Sequence, residues 1–243
     1  MRSISSSEIL ETWEQGLAQS PIYHGLALLA LAHPEASPEE LARLSIGERD
    51  GALLSLREQV FGPRLVCLTA CPSCDERLEM ALSVEDIRAK PSNHNAELKM
   101  SMEGIEVKFR LPNSLDLLAM EDNQDVTLAR QILVERCILD VHRNGEKMSV
   151  DQLSDKIIEA IEERMTEADP QANLHLDLTC PECGNKWQAA FDIVSFFWNE
   201  INVWAQHMLL EVHVLASAYG WSEREILAMS SRRRQVYLDL VGQ

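Results

Sequence analysis

Cys71-Pro72-Ser73-Cys74 and Cys180-Pro181-Glu182-Cys183 are two copies of one C-x-x-C motif, and 105 residues separate Cys74 from Cys180. A C-x-x-C motif places two thiols on one tight turn, and two such motifs supply the four ligands of a tetrahedral metal site. Large apolar residues recur 4, 8 and 10 residues after the last cysteine of each copy. They are Leu78, Leu82 and Val84 after the first copy and Trp187, Phe191 and Ile193 after the second. We therefore interpret the two copies as one duplicated hairpin.

The residues around each motif alternate as β-strands do. A β-prone run at residues 65–69 leads into the first motif, and apolar residues alternate after it at 78–84. Before the second motif, leucines alternate with polar residues at 174–178. Alternation of this length is typical of half-buried strands, so each motif is predicted to connect two strands. Residues 97–102 and 105–111 are predicted to form a further hairpin.

The rest of the sequence has helical periodicity, with hydroxyl caps and prolines at the helix starts. Four helices are predicted before residue 64. A helix is predicted over 125–141, an acidic amphipathic helix over 150–166, and a long helix over 193–219. The predicted fold class is α+β: mostly helical, with the two strand-knuckle-strand hairpins forming a small antiparallel zinc-ribbon-like sheet.

These changes of pattern divide the sequence into five regions. They are an N-terminal helical region (1–63), the first knuckle hairpin with the second hairpin (64–111), a central helical region (112–173), the second knuckle hairpin (174–192) and the C-terminal helices (193–243). The four thiols come from two distant regions. We therefore expect one composite domain closed by a single metal site rather than a local finger.

The cysteine content fits a reducing compartment. No stretch of about 18 apolar residues is present to cross a membrane, and the first residues lack the apolar segment of a secretory signal. We expect a cytoplasmic protein with no membrane partner. In such a compartment the six cysteines would be thiols or metal ligands rather than disulfides.

The metal that we predict is one structural Zn²⁺ per chain. Its ligands are Cys71, Cys74, Cys180 and Cys183. Thiolates favour zinc or iron among the common metals, and zinc is the commoner ion in such knuckles. Four thiolates fill the coordination sphere and leave no position for an activated water, so the site is predicted to be structural. The other two cysteines, Cys67 and Cys137, have no partner at ligand spacing and are predicted to be core thiols.

Two other function classes are compatible with a pair of knuckles. The first is a zinc-ribbon nucleic-acid or transcription adaptor, which the net charge of −17 disfavours because nucleic-acid binding depends on Lys and Arg. The second is a dithiol oxidoreductase, in which the second cysteine usually opens a helix that lowers the thiol pKa. Here β-like residues follow each pair. Because the sequence contains no catalytic motif of the common hydrolase, nucleotide-binding or metalloprotease types, we predict no enzymatic activity.

The C-terminal region is the predicted partner-binding region. The long helix carries large apolar residues on several sides, and three arginines lie in the first turn of the last helix, where cations are unfavourable to the helix dipole. An internal role in the core, or an ion pair with the acidic body of the chain, is the alternative for these residues. The candidates are Trp198, Trp204, Trp221, Arg232, Arg233, Arg234 and Tyr237.

Three stretches that together span most of the chain carry a family resemblance. The first is Leu44-Ser45-Ile46-Gly47-Glu48-Arg49-Asp50, with Leu56-Arg57-Glu58 and Phe61-Gly62-Pro63-Arg64. The second is Glu167-Ala168-Asp169-Pro170-Gln171-Ala172, leading through the second knuckle to Trp187 and Phe191-Asp192-Ile193. The third is Glu211-Val212-His213-Val214-Leu215-Ala216, with Tyr219-Gly220-Trp221 and Arg233-Arg234-Gln235-Val236-Tyr237-Leu238. They resemble bacterial and phage proteins related to the T-even phage baseplate hub assembly chaperones, which are found with contractile tails and tail-like injection systems.

This resemblance implies a non-enzymatic role in building a baseplate. The protein would hold a hub or spike component until it docks, as an assembly chaperone, or would remain as a minor structural part. The implied partners are baseplate hub, spike or wedge proteins. The implied location is the bacterial cytoplasm or the assembled tail-like particle.

Overall fold

The computed structural model describes residues 4–89, 97–121, 123 and 125–242. The chain divides into two units, one formed by Ser37–Asp192 and the other by Met1–Ala36 with Ile193–Gln243. The expectation that the five regions form one composite domain closed by a metal site stays a prediction.

The described residues form eleven α-helices and eight β-strands, so the fold is α+β and mostly helical, as predicted. The helices are α1 (Ser6–Gly16), α2 (Pro21–Ala32), α3 (Pro38–Ala42), α4 (Ile46–Phe61), α5 (Val84–Ile87), α6 (Ser114–Leu118), α7 (Val126–Cys137), α8 (Asp155–Ala168), α9 (Ile193–Tyr219), α10 (Glu223–Leu227) and α11 (Ser231–Val241). The strands are β1 (Arg64–Ala70), β2 (Arg77–Ser83), β3 (Leu98–Met102), β4 (Ile105–Phe109), β5 (Ile138–Arg143), β6 (Glu146–Lys147), β7 (His175–Thr179) and β8 (Lys186–Ala190). None of the helices in the described ranges is both long and apolar enough to cross a membrane.

In the unit formed by the two ends of the chain, α1, α2, α10 and α11 pack against α9. The long helix predicted over 193–219 is confirmed as α9. Its buried side chains are Ile193, Val194, Phe197, Ile201, Ala205, Met208 and Leu215. Gly16 of α1 lies against the Trp198 indole, and a Cβ at Gly16 would lie 2.2 Å from that ring. The absence of a side chain at residue 16 therefore permits the close approach of α1 and α9.

The unit formed by Ser37–Asp192 has a four-stranded antiparallel sheet in the order β3-β4-β5-β6. Its core is formed by the sheet side chains Ile105, Val107 and Phe109, which are all at most 3% exposed, and by apolar residues of α8. The hairpin predicted over 97–111 is confirmed as β3 and β4.

The helix predicted over 125–141 is wrong in its last turn. The helix ends at Cys137, and the chain continues directly into β5, which pairs with β4. Cys137 and Val141 are both buried and lie four residues apart, a spacing that fits one face of a helix and one face of a strand equally well. The edge of β4 supplies the backbone partners that decide for the strand. The acidic helix predicted from residue 150 also begins later, at Asp155, after a short 3₁₀ turn over Val150–Gln152.

The two knuckle hairpins are antiparallel, as predicted, but they do not form one sheet. Within the described part of the chain, β1 pairs with β2 and β7 pairs with β8, each as a separate two-stranded sheet. The sequence predicted a single small sheet because both hairpins alternate in the same way. Alternation reports which side of a strand is buried, and it carries no information on which strands are neighbours.

The carboxylate of Asp169, 122 residues after Gly47, binds at the N-terminus of α4. Asp169, which is 3% exposed, accepts a hydrogen bond of 2.9 Å from the backbone N–H of Gly47. A Cβ at Gly47 would lie 1.7 Å from Asp169 Oδ1, so a side chain at residue 47 would displace the carboxylate. A negative charge at a helix N-terminus interacts favourably with the unpaired N–H groups and the helix dipole. This contact brings together the first and second stretches that carry the family resemblance.

We expect Gly47→Ala to lower the free energy of unfolding by about 2–4 kcal/mol, since the added methyl group overpacks the contact and breaks its hydrogen bond. Gly51→Ala is the matched control in the same helix, because the nearest atom to a Cβ there is 4.0 Å away. The control should be neutral or more stable by up to about 1 kcal/mol. Urea unfolding measures both variants. Equal unfolding free energies for the two variants would contradict the importance of this contact.

Candidate metal centre

The four cysteines predicted as ligands lie together at the turns of the two knuckle hairpins. Their Sγ atoms all lie within 4.8 Å of one another. The Sγ atoms of Cys71 and Cys183 are 3.7 Å apart, and those of Cys74 and Cys180 are 3.6 Å apart. Sulfur atoms at the corners of a tetrahedron, each about 2.3 Å from a central ion, are about 3.8 Å apart. A disulfide would require about 2.05 Å. The geometry is therefore that of four free thiols that could bind one metal ion.

The two turns have the same backbone hydrogen bonds. In the first, the Cys71 N–H donates to the Glu76 carbonyl at 2.9 Å and the Asp75 N–H donates to the Cys71 carbonyl at 2.9 Å. In the second turn the corresponding donors are the N–H groups of Cys180 and Gly184, at 2.9 and 3.0 Å. The residue after the second cysteine has a positive φ in both turns, 58° in the first and 71° in the second. The matching hydrogen bonds and positive φ values support the interpretation of the two copies as one duplicated hairpin.

The environment of the thiols explains how they can accept a cation. Cys71 and Cys180 are buried, whereas Cys74 and Cys183 are exposed. Burial raises the pKa of Cys71, but hydrogen bonds from the backbone N–H groups of Ser73 and Cys74 outweigh it and lower that pKa to about 7. A thiolate at this position is therefore accessible near neutral pH, and thiolates are the form that binds metals.

The thiol of Cys74 resists deprotonation at the same time. A backbone hydrogen bond at Glu76 lowers the pKa of Cys74, yet the neighbouring thiols and burial outweigh it and raise that pKa to about 12. Several thiolates this close repel one another unless a cation lies between them. The donor set therefore fits a metal ion better than it fits four free thiolates.

The remaining cysteines do not join this cluster. Cys137 is fully buried in the core of the four-stranded sheet, and burial raises its pKa to about 12. Cys67 lies partly buried on β1. In the described ranges, the four knuckle cysteines are the only group of three or more His, Cys, Asp or Glu residues with ligand atoms close enough to hold one ion.

The predicted partner-binding residues are spread over several environments. Trp198 is half-buried and stacks on the His24 ring, with ring centroids 3.8 Å apart. Trp204 is half-buried on α9. Trp221 and Tyr237 form an aromatic cluster with Tyr219, with centroid distances between 4.5 and 5.6 Å.

The three arginines of α11 separate into two groups. Arg234 is 3% exposed, forms an ion pair of 2.9 Å with Glu211 of α9, and donates to the Met229 carbonyl. Its role is therefore internal to this unit, which is the alternative that the sequence left open. Arg232 and Arg233 are exposed. Neither forms an ion pair among the residues that the structure describes, so these two keep the partner-binding prediction.

The sequence reasoning missed two exposed apolar residues next to the metal centre. Val66 is 44% exposed and Leu68 is 78% exposed, and both lie on β1. The available signal was a position-by-position comparison of the two hairpins, because His175 and Asp177 occupy the corresponding positions of the second copy.

Comparison with known proteins gives two matches. Residues 32–198, which include both knuckles, match the family described as T4 bacteriophage base plate protein. The baseplate hub assembly protein gp26 of Enterobacteria phage T4 is 31% identical over 98 residues, which cover 36% of this chain and 42% of that protein. The alignment thus spans less than half of the relative's length. No solved structure gives a significant match to the chain.

We expect Cys180→Ser to lose the bound metal and to lower the free energy of unfolding by at least about 3 kcal/mol, because metal binding contributes directly to folding. Cys67→Ser is the matched control, since it makes the same chemical change in a knuckle hairpin but outside the cluster. Elemental analysis and urea unfolding of both variants provide the readout. Unchanged stability and metal content in Cys180→Ser would show that the cluster holds no structural ion.

Proposed function

The chain belongs to the T4 bacteriophage base plate protein family, and we propose that it is a non-enzymatic assembly or structural protein of a contractile phage tail or tail-like injection system. The observation that carries this proposal is the family match over residues 32–198, which covers more than half of the chain. The resemblance to phage baseplate proteins that the sequence indicated is thereby confirmed.

The partner in this proposal is a baseplate hub, spike or wedge component. Support comes from the T4 relative, whose name describes a baseplate hub assembly protein. We propose that the protein binds such a component in the bacterial cytoplasm, either to hold it until it docks or to remain with it in the particle. Because the aligned segment is less than half of that relative, the partner is inferred for this chain and not transferred from it.

The ion in this proposal is one structural Zn²⁺ held by the four knuckle cysteines. An all-thiolate donor set favours zinc or iron, of which zinc is the commoner in such knuckles, and four protein ligands leave no open coordination position. Two facing knuckle hairpins with this donor set would form a zinc-ribbon-like site. When bound, the ion would supply a cross-link between two distant segments, while the hairpin turns hold the thiols at the required spacing.

The oxidoreductase alternative is disfavoured by the local structure of both motifs. Cys74 and Cys183 are each followed by a turn and then by β2 or β8, and not by the helix N-terminus that usually lowers the pKa of a redox-active thiol. The nucleic-acid alternative is disfavoured by the net charge of −17. Thiol–disulfide cycling of Cys71 and Cys74 would favour the oxidoreductase alternative. DNA binding at physiological salt would favour the nucleic-acid alternative.

We expect purified protein to contain about one equivalent of zinc per chain, because the four cysteines form one site. Elemental analysis of protein expressed in medium with mixed trace metals measures the stoichiometry and the identity of the ion. Iron in place of zinc, or two ions per chain, would contradict the proposed centre.

We expect tagged protein, expressed with its complete gene cluster, to copurify with a hub, spike or wedge protein identified by mass spectrometry. Arg232→Glu with Arg233→Glu should reduce that recovery about ten-fold or more, if these exposed cations contact the partner. Acidic residues in the first turn of a helix are favourable to its dipole, so this double variant should not unfold α11.

Arg224→Glu is the matched control for this experiment, because Arg224 is an exposed arginine of the neighbouring α10. The control should keep full recovery of the partner. If the wild-type protein recovers no hub, spike or wedge component, the proposed function is wrong. If all three proteins recover it equally, the function stands and the α11 surface has no part in it.

A further inference from the structure

The two knuckle hairpins are copies that share one strand register. Val66 of β1 pairs with Ala81, and His175, at the same offset from its knuckle, pairs with Ala190. In the same way, Leu68 pairs with Glu79 in the first copy. The corresponding pair in the second copy is Asp177 with Gln188. The side chains on this face of both hairpins are exposed, so one can compare what each copy presents to its surroundings.

The second copy presents a polar version of this face. It carries His175, Asp177 and Gln188, and the Gln188 amide donates to the Asp177 carboxylate at 2.9 Å. The first copy carries Val66 and Leu68 at the positions of the histidine and the aspartate. A single exposed apolar residue needs no explanation. Here, however, the same hairpin folds with polar residues at both positions, so the apolar pair of the first copy is not a requirement of the hairpin.

The second edge of β1, beside this apolar pair, has no strand partner among the described residues. Within the described part of the chain, β1 pairs with β2 alone. The other edge of β1 therefore presents N–H and C=O groups that belong to no ladder, which is the arrangement that accepts an added strand. Strand addition uses these backbone groups for affinity and the alternate side chains for specificity.

The charges on the same face indicate what kind of strand fits. On this face Arg64 lies at one end of β1, Arg77 of β2 lies opposite Ala70 at the other end, and the exposed Glu79 of β2 lies between them, opposite Leu68. Both arginines are exposed, and neither forms an ion pair among the described residues. The seven residues of β1 span about 20 Å. A complementary segment is therefore extended, carries two apolar side chains at alternate positions, and carries a carboxylate near each end.

We propose that β1 is a docking strand, and that an extended apolar segment of a baseplate protein, with acidic residues at its ends, adds to its open edge. This inference rests on the proposed function, since it takes the partner to be a baseplate protein. It concerns the unit formed by Ser37–Asp192, and it is independent of the arginines of α11.

The test replaces the face of the first copy with that of the second. The variant Val66→His with Leu68→Asp and Glu79→Gln carries the residues of the second hairpin at these positions, including the Asp–Gln pair, so its folding and metal content should be unchanged. The matched control is His175→Ala with Asp177→Ala, which alters the corresponding strand positions of the second copy. Tagged wild-type, variant and control proteins are expressed with the complete gene cluster, and baseplate proteins are identified by mass spectrometry.

The proposal predicts that the variant recovers the baseplate partner about ten-fold less than the wild type and the control do. Arg64→Glu with Arg77→Glu should weaken recovery as well, because acidic ends of the partner would then meet like charges. If the variant recovers the partner as well as the wild type does, the docking strand is overturned and the proposed function stands. If the wild type recovers no baseplate protein, the proposed function itself has failed.

Two further measurements distinguish strand addition from other contacts. Amide hydrogen exchange of the purified complex should show protection of β1 residues that exchange freely in the isolated protein. Side-chain contact without protection of these amides would overturn strand addition. The alternative occupant of this edge is a second copy of the chain, and light scattering of the isolated protein tests for it. A dimer that is lost in the variant with the replaced face would show that β1 pairs with a second copy, which would overturn the proposal.

Discussion

Two-stranded hairpins are at best marginally stable in water, and this limits what the two knuckles can do alone. β1 with β2 and β7 with β8 are separate sheets, so neither hairpin gains stability from a larger sheet. They share a cluster of four sulfur atoms, all within 4.8 Å of one another, that comes from turns more than a hundred residues apart in the sequence. An ion there would link the two segments, and its binding free energy would add to folding because the unfolded chain has no preformed site.

A second contact ties the same two segments together. Asp169 lies shortly before the second knuckle, and Gly47 lies on the helix that leads to the first. The cost of closing a loop depends on the distance along the chain between its ends. Once Asp169 docks on α4, the chain left between the two closures is short, and the two pairs of thiols are confined near each other. The cysteine cluster and the Asp169–Gly47 hydrogen bond should therefore reinforce each other during folding.

The parts of the fold that follow from the sequence are those with a local signal. The C-x-x-C spacing predicted the cysteine cluster, and the apolar periodicity predicted α9 over its full length. The turn from α7 into β5 was missed because its pattern fits both periods and the deciding partner, β4, is remote in sequence. The sequence left Arg234 open between partner binding and an ion pair for the same reason, since its partner Glu211 lies on another helix. Local pattern therefore determines elements and ligand spacing, whereas pairing between elements decides sheet order and which charges are buried.

In a chain with an excess of acidic residues, an exposed arginine that forms no ion pair among the described residues is a favourable site for an acidic segment. A partner segment with carboxylates is repelled by most of the surface of a chain with a net charge of −17. In the proposed complexes it would meet favourable potential at Arg64 and Arg77 on the first hairpin and at Arg232 and Arg233 on α11, all exposed. Specificity is a difference between affinities, so repulsion elsewhere on the surface sharpens it as much as attraction at these two places. A net charge of −17, which disfavours nucleic-acid binding, thus also restricts where an acidic protein segment would bind.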